Sequence, residues 1–148
     1  MQKYYNYAVL YFLLFSIILL ASSIALFITK IGLSYSDILH YYLGNERLFL
    51  TPKTLAGLLK IILPHIFGFG LFLMVVLHFG LFTKLRKSQK LYLLSIALFT
   101  TAFIELFSPI FIILGATFFV YVKLLSFVLF ELLTLYALWL LFHAISLR

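Results

Sequence analysis

LAGLLKIILPHIFGFGLFLMVVLHFGLFT, the stretch from Leu55 to Thr83, carries one charged side chain, Lys60, in an otherwise apolar run. A helix that crosses a bilayer needs about 20 predominantly apolar residues, because each backbone N–H and C=O must find its partner within the segment once water is excluded. Similar runs extend from about Tyr7 to Thr29, Leu91 to Thr117 and Phe118 to Leu147. The expected fold is therefore all-α: an antiparallel bundle of four transmembrane helices in a single domain covering residues 1–148. Gly115-Ala116-Thr117 marks the boundary between the third and fourth spans, which makes that pair a tight hairpin.

Composition supports this reading. Of the 148 residues, 66% are hydrophobic and only 10% charged, against about 25% charged in soluble domains, so the polar side chains are too few to cover a water-facing surface. Membrane lipid is part of the solvent. The net charge of +7 sits in short loops and at the ends of spans, as a topology signal does, and forms no phosphate-binding patch. No nucleic-acid partner is expected. With no cysteine, disulfides, thiolate metal sites and covalently attached c-type haem are excluded by residue type. Met1-Gln2-Lys3 and the run behind it resemble a signal peptide, but the run is too long and lacks a small-residue cleavage site, so it reads as a retained first span.

The loop Lys84-Leu85-Arg86-Lys87-Ser88-Gln89-Lys90 has four basic residues and no acid, which places it in the cytoplasm by the positive-inside rule. Counting crossings puts both termini, with Lys3 and Arg148, on the same side, and leaves the segment from Lys30 to Thr54 outside. Within it, Ser36 to Gly44 reads as a short helix with a serine cap and a glycine stop. Thr51-Pro52 reads as the cap and first-turn proline of the second span. Pro64 and Pro109 lie inside spans and free the carbonyls of Lys60 and Glu105 from their helical donors.

Ionisable groups in hydrocarbon are costly unless paired, hydrated or liganded, so the few present carry the functional reading. His78 and His143 lie at similar depth near the cytoplasmic end, as two neutral imidazoles holding one haem b would. The competing reading is two helix-end rings that reach the wet interface. His65 and His78 are 13 residues apart, about 19.5 Å along one helix, a spacing that suits two stacked cofactors. Their directions, however, differ by about 140°. A bulge at Gly68-Phe69-Gly70 would correct that register, with His40 as the outer partner of a second haem. His65, Glu105 and Glu131 in the outer half are also read as an acid–base cluster that binds a quinone or passes protons. The structural alternative pairs Lys123 with Glu131. Lys60 and Lys123 are expected to snorkel toward the headgroups.

Ile31 to Ile38, followed by Pro64-His65-Ile66-Phe67-Gly68-Phe69-Gly70, resembles a family of bacterial inner-membrane proteins from electron-transport gene neighbourhoods. That family shares a first span, an outside segment, a His-bearing second span with a nearby glycine, and two further spans. Some members carry a c-type haem motif in the outside segment, which this chain, shorter there and without cysteine, lacks. The resemblance implies the bacterial inner membrane, respiratory electron transfer and a functional His65.

Two functions remain from the residues. One is a b-type cytochrome-like electron-transfer protein working between quinone and a respiratory-chain partner, with no catalytic activity of its own. The other is a non-catalytic accessory or scaffold subunit of a larger membrane complex, whose 18 Phe and 10 Tyr supply packing surface. A homodimer would allow histidines unpaired in one chain to meet across a two-fold axis. A small proton-coupled transporter would need two related halves, and no such internal symmetry is visible.

Overall fold

The computed structural model describes residues 2–83, 86 and 88–146. Lys84, Leu85, Lys87 and Arg148, on which part of the charge argument rests, lie outside the described residues. Nothing in residues 2–31 breaks a helix, since the stretch has neither proline nor glycine. It forms α1 (Gln2–Leu26), which passes directly into a π turn at Phe27–Ile31 closed by the Gly32 amide on the Phe27 carbonyl. Buried or lipid-facing hydroxyls bond back to their own helix, Ser16 to the Phe12 carbonyl at 2.7 Å and Ser22 to that of Ile18 at 2.8 Å.

The short helix α2 (Tyr35–Leu43) is capped two residues earlier than expected. Ser34, not Ser36, is the N-cap, and it shares a capping box with Asp37: the Asp37 amide donates to the Ser34 hydroxyl at 3.0 Å and the Ser34 amide donates to the Asp37 carboxylate at 3.3 Å. Gly44 ends the helix, as its place in the sequence implies. Asn45 and Leu50 then exchange two backbone bonds around a short turn, and the Lys53 amide closes onto the Tyr42 carbonyl.

The second span, α3 (Leu55–Leu81), is capped by Thr54 and not by Thr51; Pro52 stands before the helix. It is continuous α-helix through Pro64 and through Gly68-Phe69-Gly70, so the expected register-correcting bulge is absent. The π turn of this fold lies at the end of α1 instead. The third and fourth spans, α4 (Gln89–Ile113) and α5 (Phe119–Ser146), are shorter at their junction than the apolar run implied, because Gly115 at φ +95° turns the chain back there. All four long helices are long and apolar enough to cross a membrane, and the chain is a multi-pass helical membrane protein.

The α4–α5 hairpin is the centre of the bundle. A buried window of 44% on each of these helices contrasts with 22% on α1 and 17% on α3, which flank the hairpin. Aromatic rings join the flanking pair: Phe12 meets Phe72 and Phe79, and the Tyr5 hydroxyl donates to the Phe79 carbonyl at 3.0 Å. Since lipid tails are as apolar as leucine, close packing and interhelical hydrogen bonds, and not removal from water, hold such helices together. Two apolar clusters result. One is built on Leu73, Leu98 and Leu138; the other, at the α2 end, on Phe27, Ile38, Ile112 and Val120.

Candidate functional site

Along α4, Glu105 and Ser108 fall between Ala102 of the first cluster and Ile112 of the second. They form a polar layer with Lys123, Ser126 and Glu131 of α5. Glu105, Lys123 and Glu131 are 8%, 5% and 5% exposed, so three ionisable groups are enclosed in a chain that has very few. Pro109 explains part of the geometry. Without an N–H at residue 109 the Glu105 carbonyl has no helical donor, and an unmatched carbonyl in a membrane core is expensive. Lys123 Nζ supplies the bond at 3.0 Å, and the Ser108 hydroxyl adds a second at 3.2 Å. The same ammonium forms a salt bridge with the Glu105 carboxylate. It also lies 5.9 Å from the centroid of Phe27, whose ring stacks on Phe127 at 3.9 Å. The π turn at the end of α1 thus carries an aromatic wall of the site.

Lys123 therefore departs from both expectations held for it. It does not snorkel to the headgroups, and its partner is Glu105, not Glu131. Glu131, eight residues further along α5, faces α1, where Ser23 is its neighbour. Among the described residues, Glu131 Oε2 is buried with no hydrogen-bond partner. At the α2 end the site is roofed by Tyr42, a buried side chain. Burial pushes the Tyr42 phenol well above its ordinary value of 10.0, and the negative Glu105 adds to the shift.

The structure brings together Glu105 and Glu131 from the expected outer cluster, but not His65. That ring is exposed on the outward face of α3, its edge against Phe69. Its Nδ1–H donates to the Ile61 carbonyl at 2.7 Å, since a carbonyl only accepts, and Nε2 is the ring nitrogen not engaged in that bond. His78 and His143 are also exposed, each three residues from the end of its helix. His78 packs edge-on against Phe82, and His143 stacks on Trp139 with 8° between the planes. Neither imidazole enters the core, so a group bound by them would lie at the bundle surface. His40, half-buried on α2, borders a cleft of about 310 Å³ with Lys30, Asp37 and Tyr41. Among the described residues no three His, Asp or Glu side chains gather as a metal site.

Sequence reasoning missed Lys123 as the centre of the site. The signal was present in Pro109, which marks a carbonyl in need of a donor; only the hairpin geometry says which donor reaches it. Phe27, Ser23 and Tyr42 had no comparable signal, because their roles depend on how α1 and α2 dock.

Four spanning helices closed around a buried acid–base pair define a polytopic helical membrane protein. Residues 32–148 match the model of the family Aq_1264_TM, a transmembrane helical domain, and the chain belongs to that family. No curated protein and no solved structure matches the chain.

Proposed function

We propose that the protein is a non-catalytic subunit of a larger membrane complex, and that α1 and α3 are the helices it offers to its neighbours. The observation that carries this reading is the division of polar groups. The paired interior charges, Lys123 and Glu105, hold the hairpin, whereas His65, His78 and His143 are placed outward on α3 and α5. Side chains capable of ligand chemistry are thus presented to whatever lies beside the bundle. The aromatic, lightly packed faces of α1 and α3 suit close helix contacts as well as lipid. The basic loop from Lys84 to Lys90 supports an orientation with both termini cytoplasmic and α2 on the outer face, and the family resemblance adds the bacterial inner membrane.

One observation favours an electron-transfer version of this role. A metal-ligating histidine typically donates its second ring N–H to a carbonyl or carboxylate, which orients the ring and raises its basicity. His65 is held that way by Ile61, so its Nε2 is a candidate axial ligand for a haem b shared with a second copy or a respiratory partner, with quinone as the electron donor or acceptor.

Both versions are tested on protein purified from its native membrane in the mildest detergent that extracts it. Native mass spectrometry is expected to find the 17.2 kDa chain in a complex of defined stoichiometry with other chains. A single-chain species throughout would overturn the subunit reading. The reduced-minus-oxidised absorption spectrum of the same sample separates the versions: a b-type spectrum that His65→Ala abolishes supports the haem role, and its absence confines the protein to structural work.

A further inference from the structure

The buried layer contains two carboxyl groups and one cation, and the cation is committed. Lys123 meets the Glu105 carboxylate and the Glu105 carbonyl, and no bond runs from it to Glu131. Glu131 lies two turns further along α5, about 12 Å along the helix axis. Among the described residues, the groups that face it from the surrounding elements offer no second positive charge. α4 contributes Glu105, a like charge; α1 contributes Ser23; α2 contributes the neutral Tyr42 beyond Glu105; α3 contacts this part of α5 through Phe69 against Phe130 and turns His65 outward. An ionised carboxylate there would be enclosed, opposed by a like charge, and left with one oxygen lacking any donor.

We propose that Glu131 is a proton-binding site in the membrane core, occupied as the neutral carboxylic acid in the folded protein at neutral pH. Charge balance in the layer is then complete: one ammonium, one carboxylate and one neutral acid. The acid also lies where two elements meet, since Ser23 of α1 is its neighbour, so removal of the proton acts first on the contact between α1 and the α4–α5 hairpin. This assignment stands independently of the subunit role.

The test is infrared spectroscopy of the full-length protein in lipid nanodiscs at pH 7, with the C=O stretch of a protonated carboxyl as readout. The chain has only four acidic side chains, and Asp37 and Glu46 lie outside the spans, so the assignment is tractable. The expected result is a carboxylic-acid band equivalent to one group per chain, shifted in D2O, absent from Glu131→Gln and moved in frequency but retained in Glu131→Asp. Labelling glutamate with carbon-13 assigns the band to Glu in the wild-type protein even if a variant fails to fold. Absence of the band from the wild type, or its survival at full intensity in a folded Glu131→Gln protein, would overturn the proposal.

Discussion

Lys123 donates its ammonium to the main-chain carbonyl of Glu105 at 3.0 Å, and the residue that would serve that carbonyl in an uninterrupted helix is Pro109. A helix defect on α4 and a buried cation on α5 thus compensate one another. The same cation neutralises the Glu105 carboxylate, so one side chain fixes the register of the hairpin through both the charge and the backbone of its partner.

This compensation predicts a specific non-additivity. Lys123→Met should destabilise the bundle by about 3–5 kcal/mol, because it strands a buried carboxylate and leaves the Glu105 carbonyl with the Ser108 hydroxyl alone. Pro109→Ala returns an N–H to that carbonyl, and in its background the cost of Lys123→Met should fall by about 1 kcal/mol, the value of one hydrogen bond. Equilibrium unfolding in mixed micelles measures the cycle. Strict additivity of the two substitutions would mean that the carbonyl contact contributes nothing.

Two glycines should respond in opposite ways. Gly32 has φ +90°, and a Cβ there would lie 2.4 Å from Asp37 Cβ, so Gly32→Ala should disturb the turn into α2 at a cost of about 1–3 kcal/mol. Gly68 is helical with nothing within 4 Å, so Gly68→Ala should be neutral or stabilising by up to about 1 kcal/mol in the isolated chain. Thermal unfolding of the two variants in one detergent compares them directly; equal losses would refute this account of the turn.

The α2 cap should be sensitive to acid. The Ser34 hydroxyl, and then its amide, hold the Asp37 carboxyl below the ordinary value of 3.8. A carboxyl depressed in the folded state stabilises the cap above its unfolded-state value and loses that contribution as pH falls through the lower folded value. Protection of the amides at the start of α2, taken against the unstructured exchange rate at each pH, should therefore hold from neutrality down to about this ordinary value and fall below it, whereas in Asp37→Asn it should be low at every pH. Acid-independent protection in the wild type would remove the capping box from the account.

Much of the architecture was legible because membrane spans announce themselves by length and apolarity: the runs beginning near Leu55 and Leu91 became α3 and α4 with little change. What a sequence cannot supply for such helices is direction. α3 is apolar nearly all round, so no periodic stripe tells which side of it faces the hairpin, and His65 could be assigned to either. Lys123 shows the second limit. Counting residues placed it near the headgroups, but its flexible stem reaches either way, and Glu105, about one turn deeper, offered both a charge and an unmatched carbonyl. The caps failed for a smaller reason: Ser34 and Ser36, like Thr51 and Thr54, are equivalent as residue types, and only the chain's path through Gly32 and Pro52 chooses between them.

The subunit reading makes α1 and α3 the faces that touch other proteins, and photo-crosslinking in intact cells tests it most directly. A photoreactive residue replaces, one at a time, the exposed Phe15 of α1 and Phe67 of α3, with the exposed Leu125 and Leu132 of α5 as comparison sites. The account predicts a discrete protein adduct of one identity from Phe15 or Phe67, and lipid adducts alone from the α5 sites. Lipid adducts alone from all four positions would contradict it.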